Sequence, residues 1–297
     1  MSIHFTVDDI LAFAQKIDLP FPVRERVARL ASPDFLTEHR PYCEGLVNPD
    51  TAFVTWEKLK TLAGGADPEG MRLLTIYLAA ACLTRDEYCA AGISDAVFWD
   101  TMACFSRFLL DEHLHTGIFA FTRGFWAWRH LSCRLFRLGT LEFEYALLEE
   151  HQLTPKGMGP GEPVLFVHIP SDAKLTEAAL ADSYRAARRF FTDHGAQVCP
   201  AGAPQAVLCH TWLLSPTLQT LLAPTSGIRR FAQDYTVLAV DTGDESFYLW
   251  LFHGKKPPEP LPLETSLQRV VCDYLQRGGK IGAAYGIQSE WVDGENS

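Results

Sequence analysis

The chain has 297 residues, of which 47% are apolar, so it can bury a large core divided between two domains. Its net charge of −10 argues against a general nucleic-acid binder, because such proteins neutralise phosphates with basic side chains. The N-terminus lacks a basic segment followed by an apolar one, and charges interrupt the long apolar stretches, so we expect neither a signal peptide nor a membrane span. The eight cysteines show no C-x-x-C spacing, which is typical of reduced thiols in a soluble cytoplasmic protein.

Residues 1–137 carry helical patterns and hardly any strand pattern. Thr6 or Asp8 can cap a first helix, a short second helix covers residues 23–30, and a loop then reaches Asp50. We expect four more helices: residues 53–62 closed by Gly64 and Gly65, 67–89 opened by Asp67 and Pro68, 94–116 broken at Gly117, and 125–136. Phe125, Trp126 and Trp128 in the last of these are typical of a core.

After Gly139 the period of the pattern changes from helix to strand. Apolar residues alternate with Glu142 and Glu144 in residues 141–145, which indicates a half-buried strand whose glutamates share one face. The loop of residues 154–161 (TPKGMGPG) can return the chain as an antiparallel partner.

The most informative stretch predicts a strand, a helix and a second strand. Residues 164–169 (VLFVHI) and 206–213 (AVLCHTWL) are almost continuously apolar, which is typical of strands covered on both faces. Residues 175–194 between them form an amphipathic helix, so the two strands should be parallel neighbours. Because ligands bind beyond the carboxyl ends of such strands, we expect a site near His168 and His210.

The remaining elements are predicted from turn and capping signals. Ser215 and Pro216 open a short helix, and residues 228–240 and 246–252 suggest a hairpin. A proline-rich linker leads to a helix that opens with a capping box at Thr265, and residues 278–286 should form a loop and an edge strand before a disordered acidic tail. Antiparallel strands that become parallel across one helix are the arrangement of the GNAT acyltransferase core.

Three phrases carry a family resemblance: LFRLGTLEFE at residues 135–144, VHIPSD at 167–172 and CHTWLL at 209–214, with LETSLQR at 263–269 in support. They resemble a family of bacterial acyltransferases that have an all-helical N-acyltransferase N-terminal domain and a GNAT-like C-terminal domain. The resemblance implies an α/β (α+β) fold, with a helical domain over residues 1–137 followed by a GNAT-like mixed-sheet domain over 138–297. It also implies acyl-CoA or acetyl-CoA as the donor, an amine acceptor, and a small-molecule substrate.

The loop after the first strand of the parallel pair departs from the GNAT pattern. GNAT enzymes hold the CoA pyrophosphate with a glycine-containing loop, whereas residues 168–175 (HIPSDAKL) contain no glycine. If Ser171 or Asp172 caps the next helix, it occupies amides that would otherwise bind phosphate, and a carboxylate there repels the phosphates. Lys174 can offset this repulsion.

His168, His210 and Glu144 are the candidate catalytic residues. An imidazole titrates near neutral pH and can accept the amine proton, and a glutamate can support it. The alternatives are a buried histidine that bonds a turn and a solvated outer strand face for Glu142 and Glu144. Adjacent strand residues point to opposite faces, so Cys209 and His210 cannot act as a pair, and a zinc site with His168 fails for the same reason. Metal is therefore not expected.

Five residues near the strand ends are candidate acyl-CoA contacts: Ile169, Ser171, Lys174, Cys209 and Trp212. Packing is the competing interpretation for Trp212, and a surface pair is the simpler one for Arg229 and Arg230. Tyr235, Tyr274 and Tyr285 are unplaced candidates for the acid that protonates the departing thiolate.

Two other functions remain open from sequence. One is a non-catalytic small-molecule or protein-binding module with a degenerate GNAT-like domain, which the loop without glycine favours. The other is a cysteine hydrolase that uses Cys209. The sequence indicates no oligomeric state.

Overall fold

The computed structural model describes residues 5–149 and 158–288, except the side chains of residues 62–64 and 66. The acidic tail, the start of the 154–161 loop and the first four residues lie outside this range. The chain divides into two compact units, Met1–Leu138 with Thr192–Val198, and Gly139–Phe191 with Cys199–Ser297.

The N-terminal unit is built from helices. Thr6 begins α1 with a reciprocal capping box, because its hydroxyl accepts from Asp9 N and the Asp9 carboxylate accepts from Thr6 N. Helix α5 is buried over most of its length and packs against α1, α2, α3 and α8. The helices are α1 Val7–Lys16, α2 Phe21–Leu30, α3 Pro33–Val47, α4 Ala52–Ala66, α5 Met71–Ala90, α6 Asp95–Met102, α7 Cys104–Thr116 and α8 Gly124–Leu131.

The predicted loop before Asp50 is wrong, because α3 occupies most of it. Ser32 Oγ accepts from Phe35 N and Pro33 takes the first helical position, so the start signals were present in the sequence. The buried face of α3 includes Cys43 and also His39, which does not count as apolar in a simple pattern.

Four helix boundaries also differ from the prediction. Helix α4 continues through Gly64 and Gly65, and α5 begins at Met71 although Asp67 Oδ2 still accepts from Leu73 N at 2.9 Å. The expected 94–116 helix is divided at Ala103 into α6 and α7, while Gly117 ends α7 as predicted with φ +75°. Helix α8 ends at Leu131, and the following residues, expected to be helical, form the strand β1 Leu135–Leu138.

A six-stranded mixed sheet has the order β1-β2-β3-β4-β6-β5. Strands β2 and β3 are antiparallel, β3 and β4 are parallel, and β6 is antiparallel to both β4 and β5. Helix α9, Glu177–Val198, connects β3 to β4, so the predicted strand–helix–strand unit is confirmed. The strands are β2 Leu141–Leu147, β3 Pro163–His168, β4 Val207–Thr211, β5 Tyr235–Asp241 and β6 Ala283–Gln288.

The C-terminal part contains the largest errors of the sequence prediction. The hairpin is wrong: β5 pairs with β6, and the second half of the hairpin is the helix α12 Ser246–Leu251. Residues 227–232, expected to begin a strand, form α11 Gly227–Ala232. Strand β6 lies between β4 and β5 instead of at the edge. The short helix α10 Pro216–Leu221 and α13 Ser266–Gln276, with its capping box at Thr265, are confirmed.

Helix α9 covers one face of the sheet in the C-terminal unit. The Phe143 ring of β2 meets the Tyr184 ring of α9 edge-on, and the Tyr184 hydroxyl donates to the Tyr235 hydroxyl of β5 at 3.3 Å. A second cluster joins Trp212 and Leu213, which follow β4, to α12 and α13. None of the helices in the described residues is long and apolar enough to cross a membrane.

Candidate functional site

The parallel strands β3 and β4 stop pairing before either strand ends. Their register covers Leu165 with Val207 and Phe166 with Leu208. Beyond this point each strand pairs with its outer neighbour, since His168 lies opposite Glu142 of β2 and His210 lies opposite Tyr285 of β6. The carboxyl ends of the two strands therefore extend beyond their paired segment, although the Cys209 thiol still reaches Val167 O at 3.3 Å.

Strand registers decide which side chains share a face of the sheet. His168 lies opposite Glu142, and Glu144 lies opposite Phe166, so these four share a face. Phe166 lies opposite Leu208, which places His210 on this same face. We call this side of the sheet the His168 face. The opposite side, which we call the α9 face, is where the Phe143 ring meets Tyr184 of α9.

Glu144 and His168 form a direct contact on the His168 face. The distance from His168 Nε2 to Glu144 Oε2 is 2.8 Å, and the two side chains are only 22% and 12% exposed. A carboxylate can only accept this bond, so Nε2 carries the proton, and in the neutral imidazole the lone pair lies on Nδ1. Such an arrangement orients a base. Glu142 is 2% exposed, so the interpretation of these glutamates as a solvated outer face is wrong.

His210 stacks on Tyr285, the residue directly opposite it. The ring centroids lie 4.1 Å apart with an interplanar angle of 11°. Partial desolvation lowers the pKa of His210, against smaller opposing effects of Asp244 and Asp241, and desolvation raises the pKa of Tyr285. The two side chains therefore favour their neutral forms.

Cys209 lies on the α9 face, away from His168 and His210. Its side chain is fully buried and its thiol donates to Val167 O at 3.3 Å. Burial raises the pKa of this thiol far above its ordinary value, so it is not a thiolate at neutral pH. The structure thus argues against a cysteine hydrolase that uses Cys209.

The other predicted acyl-CoA contacts are divided between core and surface. Trp212 is 8% exposed within the second core cluster, and Ile169 packs against this cluster. Ser171 and Lys174 are exposed in the loop before α9, where Lys174 N donates to Thr140 Oγ1 at 2.6 Å.

The expected cap of α9 is wrong. Thr176 Oγ1 accepts from Ala179 N at 3.4 Å, and Thr176 O accepts from Leu180 N, so Thr176 is the capping residue. Ser171 and Asp172 lie several residues before the helix, and the predicted repulsion by a capping carboxylate does not apply. Gly227 lies close to this loop, since a Cβ there would approach Leu175 Cβ and O to 3.1 Å.

The three candidate tyrosines for the acid lie in three different surroundings. Tyr235 is buried against Tyr184, and Tyr274 is on α13. Tyr285 is the only one of the three opposite His210 on the His168 face, a position that follows from the pairing of β6 with β4 and that sequence patterns do not reveal.

The two arginines of α11 both have protein partners. Arg230 pairs with Asp234 at 2.5 Å, and Arg229 Nη1 reaches Leu222 O at 3.4 Å. In the described part of the chain, no three His, Cys, Asp or Glu side chains form a metal-binding group.

Comparison with known proteins gives the same architecture. Residues 8–133 match the model of the N-acyltransferase N-terminal domain, and residues 135–288 match that of the GNAT-like C-terminal domain. No significant match was found among curated protein sequences.

Solved structures with the same fold include an acyltransferase in complex with decanoyl-CoA and teicoplanin. It has 21% sequence identity and a TM-score of 0.76, and the alignment covers 96% of this chain and 89% of the other. An acyltransferase in complex with CoA and 10C-teicoplanin has 21% identity and a TM-score of 0.75, over 93% and 86% of the two chains. These similarities, together with the helical region and the mixed sheet, confirm the expected fold. The chain therefore belongs to the family of proteins with a GNAT-like C-terminal domain, preceded in this chain by an N-acyltransferase N-terminal domain.

Proposed function

We propose that the protein transfers an acyl group from acyl-CoA to an amine at the ends of β3 and β4, beyond their paired segment. The observation that carries the proposal is the early end of the parallel pairing, with the Glu144–His168 pair beside it. Family membership supports acyl transfer, and acyltransferases of the same fold have been crystallised with decanoyl-CoA and with CoA. Fold likeness alone would not justify an activity, so the argument depends on the site.

Main-chain groups are suited to hold the amide arm of the donor. Leu165 N donates to Ala206 O across β3 and β4, so odd-numbered residues of β3 and even-numbered residues of β4 direct their main-chain groups at each other. By this alternation His210 presents its main chain beyond the paired segment, whereas Val167 O already accepts from the Cys209 thiol. An extended amide chain can bind there as an added strand does. Ile169, Ser171 and Lys174 remain the proposed surroundings of the donor, with Lys174 as the nearby cation, whereas the side chains of Cys209 and Trp212 are buried in the core.

The reaction needs one base and one acid. The amine nitrogen bonds to the thioester carbonyl carbon, the C–S bond breaks, the amine proton goes to the base, and the thiolate takes up a proton. We assign the base to His168, oriented by Glu144, and propose the neutral His210–Tyr285 pair as the source of the second proton. Positioned acid–base groups of this kind contribute about 10²–10⁴-fold to a rate.

Donor binding is the first test. The melting temperature would be measured with acetyl-, octanoyl- and decanoyl-CoA, with ADP at equal ionic strength as the control. A ligand at 100 times its Kd stabilises the folded state by about 2.7 kcal/mol, which at about 2–4 °C per kcal/mol is a rise of roughly 5–10 °C. No rise with any thioester contradicts the proposal.

Turnover is the second test, with thiol release from the best-binding thioester measured over a panel of primary amines. We expect His168→Ala to lower kcat by about 10²–10⁴-fold and to leave thioester binding unchanged. Arg277→Met is the control, because Arg277 forms an exposed ion pair with Asp273. Unchanged turnover in His168→Ala removes this residue as base.

A non-catalytic binding module is the second candidate, because the loop before α9 contains no glycine. Thioester binding without turnover for every amine tested would favour this candidate over the transferase.

A further inference from the structure

A cleft in the N-terminal unit carries an unusual concentration of arginine. Its volume is about 360 Å³, and its charged lining consists of three cations and two carboxylates. Its lining residues are Arg26, Arg29, Leu30, Asp67, Pro68, Glu69, Met71 and Arg72. The lining therefore has a surplus of one positive charge in a chain whose net charge is −10.

Arg72 is oriented by a buried histidine. Its Nη2 lies 3.1 Å from His39 Nε2, and the guanidinium also lies over the Phe35 ring at 5.3 Å. His39 is 3% exposed, and its Nδ1 lies 2.8 Å from Phe35 O. A carbonyl only accepts, so Nδ1 donates and Nε2 is the acceptor for Arg72. A neutral acceptor positions the guanidinium without neutralising it, and Arg72 also forms an ion pair with the exposed Glu38 at 3.2 Å.

Arg26 and Arg29 approach the cleft from α2, where a spacing of three residues places them on the same side of the helix. Arg26 pairs with Glu69, which uses one of the two carboxylates. The other, Asp67, accepts from Leu73 N at 2.9 Å and so caps α5. Arg29 is exposed and makes no ion pair within residues 5–149 or 158–288. Its charge has no protein counter-ion in the cleft.

The floor of the cleft is a rigid turn. Gly70 N donates to Asp67 O at 2.9 Å, and Phe121 N donates to Glu69 O at 2.8 Å. Gly70 has φ +66°, and a Cβ there would lie 2.3 Å from Phe121 O, so this approach requires glycine. The backbone that carries Asp67 and Glu69 is therefore fixed by main-chain hydrogen bonds.

We propose that this cleft binds the oxyanionic group of a small molecule, a phosphate or a carboxylate, through Arg29 and Arg72. Guanidinium groups match the geometry of both anions by paired N–H donors. The volume lies within the range of small-ligand sites. The histidine-oriented Arg72 and the exposed Arg29 both line the cleft and so offer such an anion two guanidinium groups. The proposal does not depend on the transferase activity.

Titration calorimetry with the full-length protein tests the proposal. Glycerol phosphate and succinate would be titrated separately at constant ionic strength, with chloride as the reference, so that the two arms distinguish phosphate from carboxylate ligands. We expect millimolar or tighter saturable binding of at least one, weakened at least 10-fold in Arg29→Met and in Arg72→Met. Arg29 is exposed and forms no ion pair with the residues that the structure describes, so its replacement should leave the fold intact.

Arg85→Met is the matched control, because Arg85 is an exposed arginine of α5 that pairs with Asp95 at 2.9 Å outside the cleft. We expect it to bind as the wild type does. Absence of saturable binding for both anions overturns the proposal. Equal affinity in the wild type and Arg29→Met also overturns it, because binding would then be general charge attraction.

Discussion

The Glu144–His168 contact predicts a measurable coupling in stability that needs no knowledge of the substrate. Glu144→Gln, His168→Gln and the double variant form a mutant cycle. A hydrogen bond to a charged group has a net worth of about 1.5–3 kcal/mol. Because the side chains are 22% and 12% exposed, water screens the pair in part, and we expect a coupling of about 1–2 kcal/mol. Urea unfolding followed by circular dichroism at pH 7 would measure it.

The exposed pair Arg277–Asp273 on α13 provides the control cycle. Its side chains are 69% and 66% exposed, so its coupling should be about 0.5 kcal/mol or less. A Glu144–His168 coupling equal to that of the control would refute the contact as a preorganised pair. The proposed orientation of the base would then lose its support.

Three further predictions concern buried and capping side chains. Iodoacetamide at pH 8 should label the exposed Cys89 and spare Cys209 until urea is added, because burial raises the pKa of the Cys209 thiol. Mass spectrometry would show the order of labelling. Early labelling of Cys209 would contradict its burial. Thr265→Ala should cost about 1 kcal/mol of unfolding free energy and Thr265→Ser much less, since the hydroxyl caps α13. Burial raises the pKa of Tyr235, so its unfolded form ionises first and stability should fall above about pH 10. Tyr235→Phe should reduce this alkaline loss in a urea–pH series, and an unchanged loss would assign it to other tyrosines.

The strand–helix–strand unit was predictable because the hydrophobic pattern of each segment, its length and the order of the segments all indicate the same structure. Both strands are continuous apolar runs, and the helix between them is long and amphipathic. The bounds differ by a few residues, since α9 continues to Val198 and β4 ends at Thr211. Trp212 and the two leucines after it form a 3₁₀ turn in which Thr211 Oγ1 accepts from Leu213 N.

Short apolar runs were not predictable, because their period is ambiguous. Residues 246–252 (SFYLWLF) fit a strand and a helix equally well. The structure forms α12, with Phe247, Tyr248 and Leu251 buried and Trp250 44% exposed. Tertiary packing of this face against the cluster around Trp212 decides the outcome.

The candidate site depends on strand register, which residue identity does not reveal. The sequence identified Glu144, His168 and His210 as separate candidates, and the registers of β2, β3 and β4 place all three on one face. His168 bonds Glu144, its diagonal neighbour, although Glu142 lies directly opposite. A slip of one residue between β2 and β3 would turn Glu144 to the α9 face and place it where Phe143 meets Tyr184. An unpaired carboxylate in that core would cost several kcal/mol, so the packing of α9 against β2 is what holds the carboxylate beside His168.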